Sequence, residues 1–285
     1  MSEEIKKDPG RLAVLEKIAQ LEREGRYDVD PEEDPPSRVL MPDEIEYVKK
    51  GFLGNCKRIV AFACAYVYFW QLERKNQVVL HPAQGLEHLA DVEGAVITCN
   101  HFSPMDSFIM QRVFDDSKHP KRLYRVIREG NYTSFPGFYG FLMRNCNTMP
   151  LSSNMNTMKK FFRGAQEVLS KGNCLLIYPE QSMWWNYRKP KPMKSGAFDL
   201  AVKNHVPVVP CFITMCDTDK LGPDGFPVQE YTPHIGVPIW PDQTVPKTVA
   251  REKLKQQTEA FCSATYERVY GVPPTYSDAT QNAPV

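Results

Sequence analysis

The run Ala95-Val-Ile-Thr-Cys99 is short, apolar and β-branched, and Asn100 and His101 stop it. Such a run reads as a buried strand. Ser103-Pro104 follows at once, with Ser as N-cap and Pro at the first helical position, so a helix is expected to open there. A buried strand, a tight loop and a helix start in immediate succession commit the chain to α/β layering. They also set a histidine at the carboxyl end of a strand, where open α/β sheets hold their ligands.

The spacing from His101 to Asp106 suits a base and its orienter. An imidazole accepts a proton from a hydroxyl when one ring nitrogen is free and the ring is held. A carboxylate on the other nitrogen fixes the tautomer and stabilises the imidazolium. The structural alternative is that Asp106 only caps, since Ser103-x-x-Asp106 is also a capping-box-like pattern. His81, His88, His119, His205 and His234 show no partner pattern and read as structural or surface histidines.

Strand and helix patterns alternate from Val78 onward. Strands are expected at 78–80, 95–99, 123–127, 174–178, 206–214 and 235–240. Helices are expected at 105–114, 135–144, 156–171, 195–204 and 247–269. In the 156–171 helix Met158, Phe161, Phe162, Ala165, Val168 and Leu169 form one face, and Gly172 stops it. Leu254, Phe261 and Tyr266 anchor the closing helix. The expected fold is α/β, with a mainly parallel or mixed central sheet flanked by helices and preceded by an N-terminal helical segment.

Ahead of the alternation, residues 10–25 carry Leu12, Leu15, Ile18, Ala19 and Glu22 at helical spacing. Residues 27–37, acidic and rich in proline (Pro31, Pro35, Pro36), read as a linker. A second helix is expected from Pro42 to about Arg74. Its segment 59–72 is apolar almost all round and spans roughly 21 Å at 1.5 Å per residue, short of the ~30 Å hydrocarbon layer. Lys57 and Arg58 precede that segment, and Trp70, Arg74 and Lys75 close it. Basic flanks and aromatic ends suit a helix lying in a membrane interface, with a buried core helix as the alternative. The expected division is therefore 1–40 amphipathic helix and linker, 41–75 interfacial helix, 76–270 main domain and 271–285 loose tail.

Composition removes several function classes. The net charge of +1 gives no field for nucleic acid. Eight scattered cysteines without Cys-x-x-Cys point away from a metal site and toward thiols in a reducing compartment. The first residues lack the apolar core of a signal peptide.

Three stretches together carry a resemblance. Asn100-His-Phe-Ser-Pro-Met-Asp106 resembles the first motif of the glycerolipid acyltransferases, the lysophosphatidic acid acyltransferase family. Tyr178-Pro-Glu-Gln-Ser182 resembles the third motif, usually Phe-Pro-Glu-Gly-Thr-Arg-Ser; Gln181, Met183 and Trp184 replace its Gly, Arg and Ser. Val206-Pro-Val-Val-Pro210 resembles the fourth. The likeness covers roughly residues 78–240, and Gly85-Leu-Glu-His-Leu89 resembles the lead-in. The second motif departs: Asn147-Thr-Met-Pro-Leu-Ser-Ser153 puts Ser153 where the family has an arginine. Met183 stands at the other arginine position.

The resemblance implies an O-acyltransferase that moves a fatty acyl group from a thioester of coenzyme A, or of an acyl carrier protein, to a hydroxyl of a lysophospholipid or related lipid. His101 is then the general base and Asp106 its orienter. Asn100, Ser103, Glu180, Ser182, Arg188 and Lys189 are the candidate substrate contacts. No cofactor and no metal is called for, and the partners are the donor, the lipid acceptor and the cytoplasmic face of a membrane, peripherally bound. The oxyanion's donors are expected among backbone N–H groups near the helix start. Guanidinium groups are the natural phosphate clamps, so the two missing arginines predict that lysophosphatidic acid is a poor acceptor. The nearest dense cationic cluster is Arg188 to Lys194, with Trp184, Trp185 and Tyr187 beside it, either at a bilayer surface or in a solvated basic loop with Trp184 and Trp185 packed inward. The rival readings are a hydrolase in which His101 activates water, and a catalytically idle lipid-binding scaffold.

Overall fold

The computed structural model describes residues 6–33, 36–49, 51–90 and 92–276. In chain order its elements are α1 (Pro9–Arg23), a 3₁₀ turn (Pro42–Glu44), α2 (Phe52–Arg74), β1 (Val79–Leu80), α3 (Glu87–Ala90), β2 (Ala95–Thr98), α4 (Asp106–Asp116), β3 (Leu123–Ile127), α5 (Glu129–Thr133), α6 (Gly137–Asn145), β4 (Thr148–Pro150), α7 (Met155–Ser170), β5 (Cys174–Ile177), α8 (Gly196–Asn204), β6 (Val208–Leu221), β7 (Pro227–Ile235) and α9 (Lys247–Tyr270).

The strands form one sheet of order β1-β7-β6-β2-β5-β3-β4. Pairing is parallel except between β6 and β7. β2 lies at the centre, and all four of its residues are buried, as a strand covered on both faces requires. From β2 the chain moves to β3 and β4, returns to β5, and only then crosses to β6. The order thus reverses at β2, and the crevice at its carboxyl end opens there. One face of the sheet packs on α7, α8 and α9, through Phe161, Val168, Phe198, Leu254 and Tyr266. The other packs on α4 and part of α2, through Ile109, Met110, Val113, Phe114 and Phe69.

Four elements differ from the expectation, each for a packing reason. The strand expected at 235–240 is only a bridge of Ile239 to Val208. The last strand is β7, which returns beside β6 through the Gly222-Pro-Asp-Gly225 turn. The second helix does not begin at Pro42. Ile45 and Tyr47 are buried against the α7 face, with Tyr47 donating to Pro150 O, so the backbone crosses the core in extended form and α2 starts at Phe52. Gly164 of α7 makes that crossing possible, because a Cβ there would meet Tyr47 Cβ at 2.8 Å. In α1 the inward stripe is Val14, Leu15, Ile18 and Leu21, while Leu12 and Ala19 face out. Phe162 of α7 is likewise exposed.

The expected linker is a strap. Trp184 Nε1 donates to Val29 O, Ser182 Oγ to Tyr27 O, and Met183 N to Asp30 Oδ1 at 2.6 Å. Residues 27–30 are therefore bonded along the loop that follows β5. The expected tail is also docked through residue 276: Tyr276 OH donates to Pro190 O and its ring meets Tyr27 edge-on. Pro35 and the tail beyond 276 lie outside the described residues.

Candidate active site

β2 ends at Thr98, and the next residues turn into the crevice. Asn100 is buried and clasps the neighbouring strand: its Nδ2 donates to Ile213 O at 3.0 Å and its Oδ1 accepts from Ile213 N at 2.8 Å. It fixes β2 to β6 through both atoms of its amide. His101 then swings toward α4, where Nδ1 lies 2.6 Å from Asp106 Oδ2. A carboxylate oxygen accepts, so the proton sits on Nδ1 and Nε2 carries the lone pair. His101 is partly exposed, and its Nε2 has no hydrogen-bond partner among the described residues. The ring stacks on Tyr178, with centroids 4.3 Å apart. Tyr178 OH lies 3.0 Å from Ser107 Oγ. Burial, with the Asp106 charge beside it, holds the Tyr178 hydroxyl well above its ordinary pKa, so it stays protonated.

Asp106 is fully buried and is the first residue of α4. The expected N-cap at Ser103 is corrected. Met105 holds the cap position, and Ser103 Oγ instead accepts from Met105 N within the turn. The reason is Asp106 itself, whose Oδ2 also accepts from Phe102 N and Ser103 N, at 3.3 and 3.5 Å, and so winds the loop around the carboxylate. Ser103 is a turn residue. The N–H groups of His101, Phe102, Ser103 and Met105 are all engaged. The loop therefore offers an oxyanion no free donor from these four.

Glu180 follows β5 and does lie beside His101, but it is buried. Its carboxylate accepts from His101 N and Lys191 N and pairs with Lys191 Nζ at 3.3 Å. Lys191 is equally buried; desolvation lowers the pKa of its ammonium group, and the Glu180 charge opposes that shift. Lys191 Nζ also donates to Ser182 O and Oγ. Glu180 and Ser182 thus tie the His101 loop, the β5 loop and the strap together. Gln181 between them has φ +62°, a left-handed conformation that suits the glycine the family motif carries there.

Arg188 and Lys189 both have acidic partners within the chain. Arg188 pairs with Asp217 at 2.7 Å, and Lys189 with Glu22. Trp184 and Trp185 are buried against α1, not offered to a bilayer. The acids of α1, the strap and β6 neutralise this loop because they fold back onto it, which local sequence does not reveal.

A cavity of about 710 Å³ begins at His101 and Asp106. Phe62, Phe69, Phe108, Leu142 and Met143 give it an apolar wall between α2, α4 and α6, and Asp30, Glu32, Glu33, Arg112, Arg128 and Asn131 line its polar part. Arg128 pairs with Asp30 and donates to Gln181 O. Arg125 of β3 also lines the cavity, although it is buried; desolvation lowers the pKa of its guanidinium. Sequence reading missed these three arginines, which line the cavity although the two family arginine positions carry Ser153 and Met183. The one usable signal was Arg125, a charged residue inside the strand-like run Leu123-Tyr-Arg-Val-Ile127. Ser153 turns the other way, donating to Glu129 Oε1 beside a smaller cavity of about 310 Å³.

No curated protein matches the chain. Among solved structures it is similar to the 1-acyl-sn-glycerophosphate (LPA) acyltransferase PlsC from Thermotoga maritima, with 19% identity over 74% of this chain and 88% of that one and a TM-score of 0.44. Residues 82–214 match the family model for Acyltransferase. That segment runs from the lead-in of β2 into β6 and contains His101, Asp106, Glu180 and the cavity's arginines. The chain therefore carries an acyltransferase-family domain over residues 82–214.

Proposed function

We propose that this protein is an O-acyltransferase that moves a fatty acyl group from a thioester donor to a hydroxyl of a lysophospholipid or related lipid. The observation that carries the reading is the His101–Asp106 couple opening onto a cavity whose walls are largely apolar. The acceptor hydroxyl gives its proton to His101 Nε2 as its oxygen attacks the thioester carbonyl. The tetrahedral intermediate collapses, the C–S bond breaks, and the thiolate leaves with a proton returned from the imidazolium. Asp106 holds the ring and offsets the charge it acquires. The step needs no enzyme nucleophile.

The setting is a membrane surface. No helix among the described residues is long and apolar enough to cross one. Phe52, Leu53, Ile59, Val60, Val67 and Trp70 of α2 nevertheless face outward, with Lys57 and Arg74 on the same helix. An apolar face with basic and aromatic flanks favours interfacial seating. Donor carrier and acceptor headgroup are decided by product mass spectrometry, with purified protein, acyl-CoA or acyl carrier protein thioesters, and an equimolar lysolipid mixture. The expected product is an acylated lipid with free thiol in equal amount. Free fatty acid alone would identify a hydrolase, and no turnover an idle lipid-binding protein.

A further inference from the structure

Arg125 is the one arginine of the cavity that is buried, at 6% exposure. Its Nη1 donates to Cys146 O and its Nη2 to Gln111 Oε1, its plane lies over Phe62, and its Nε has no hydrogen-bond partner. No carboxylate lies in ion-pair contact with it among the described residues. The nearest acid on that side, Asp115, is reached only through Gln111, and it also accepts from Tyr66 OH.

Sheet register places this group relative to the chemistry. Arg125 pairs with Leu176 of β5, and Leu176 with Ile97 of β2. At about 4.8 Å per strand, Arg125 is roughly 10 Å across the sheet from Ile97. His101 lies four residues beyond Ile97, past the end of β2 in the loop that turns into the crevice. The same cavity is lined by Phe69, Phe108 and Phe62, the last of them against Arg125. An alkyl chain entering from His101 gains about fourfold in binding for each methylene it buries on such a wall. At Arg125 the gain ends. The guanidinium is already buried and its Nε–H already without an acceptor, so methylenes that reach it cover its last exposed polar edge with no hydrogen bond in return, and that opposes binding.

We propose that Arg125 is the length stop of the alkyl chain held in this cavity, a specificity-determining residue of the acyl transfer proposed above, on which this inference rests. The chain belongs to the acyl donor or to the lysolipid acceptor, and the test separates the two. Arg125→Met removes the charge and keeps an unbranched apolar side chain. Arg125→Gln keeps an amide donor for Cys146 O and is the variant to read should Arg125→Met not fold. Each is assayed beside wild type against an equimolar ladder of saturated acyl-CoA thioesters with one lysophosphatidylglycerol. A second assay uses one acyl-CoA with a ladder of lysophosphatidylglycerols. Product ratios within one mixture do not depend on how much enzyme is folded.

The expected result is a shift of one ladder toward longer chains, with the ratio of each longer product to its two-carbon-shorter neighbour rising about tenfold at the wild-type limit. The ladder that moves identifies the chain. Unchanged profiles in both ladders, with transfer intact, overturn the length stop and leave the acyltransferase reading standing. So does an altered acceptor KM at constant profiles, which would make Arg125 a headgroup contact. Failure of the wild type to transfer any acyl group overturns the acyltransferase reading itself.

Discussion

Asp106 holds its site together with a single oxygen. Its Oδ2 accepts from the His101 ring and from two backbone N–H groups of the intervening loop, so the carboxylate that orients the base also shapes the turn. Asp106→Asn separates these roles. An amide oxygen in the place of Oδ2 still accepts from the His101 ring and from both loop N–H groups, and the amide nitrogen takes the buried, partnerless place of Oδ1. The turn and the ring position are kept, and what is lost is the negative charge that offsets the imidazolium. Turnover should fall by about 10²–10⁴-fold with the melting transition little changed. Full activity in Asp106→Asn, with loss only in Asp106→Ala, would mean that the carboxylate serves the turn alone. The pairing of His101 with Asp106 was legible because their spacing is local. The particular partners of Asn100, Glu180 and Ser182 were not. Each sits where a substrate contact would sit in the sequence, yet its partner comes from another strand or loop, at Ile213, Lys191 and Tyr27.

Elements were legible in proportion to how local their signal is. β2, β3 and β5 are apolar runs bounded by breakers, and α7 has a one-sided stripe, so all four lie within a residue or two of the expectation. β7 was missed because its run is broken by prolines and polar residues, and it is a strand only through its pairing with β6. That pairing buries His234, which bonds Thr214 and Gln84 while Arg268 approaches its Nδ1. Burial, then the Arg268 charge, pushes His234 down from 6.5 to about 4. The folded pKa is below the unfolded one, so the unfolded chain binds the extra proton between these values. Stability is therefore lost as pH falls from about 6.5 toward 4, by up to about 3 kcal/mol from this residue. Urea unfolding at pH 7 and pH 5 should show that loss in the wild type and a smaller one in His234→Gln. Equal losses in the two proteins would refute the assignment.

At the scale of the whole molecule, the strap and α2 enclose the crevice from two sides. The strap supplies acids to the polar part of the cavity, and α2 forms its apolar wall with Phe62 and Phe69 while its opposite face is exposed. One helix thus offers an apolar chain both a surface to leave and a cavity to enter. Val60→Ser with Val67→Ser should weaken partitioning onto anionic vesicles tenfold or more, since each valine loses about a kilocalorie or more of apolar burial, and should barely change stability because both side chains face solvent. Unaltered partitioning would remove α2 as the docking face. The central claim is that His101 is the base of an acyl transfer, and its most direct test is the transfer assay run on wild type and His101→Ala side by side. Both proteins should give the same circular dichroism and melting profile, with acylated lipid and free thiol forming about 10²–10⁴ times more slowly in His101→Ala. Equal rates in a folded His101→Ala protein would contradict the account.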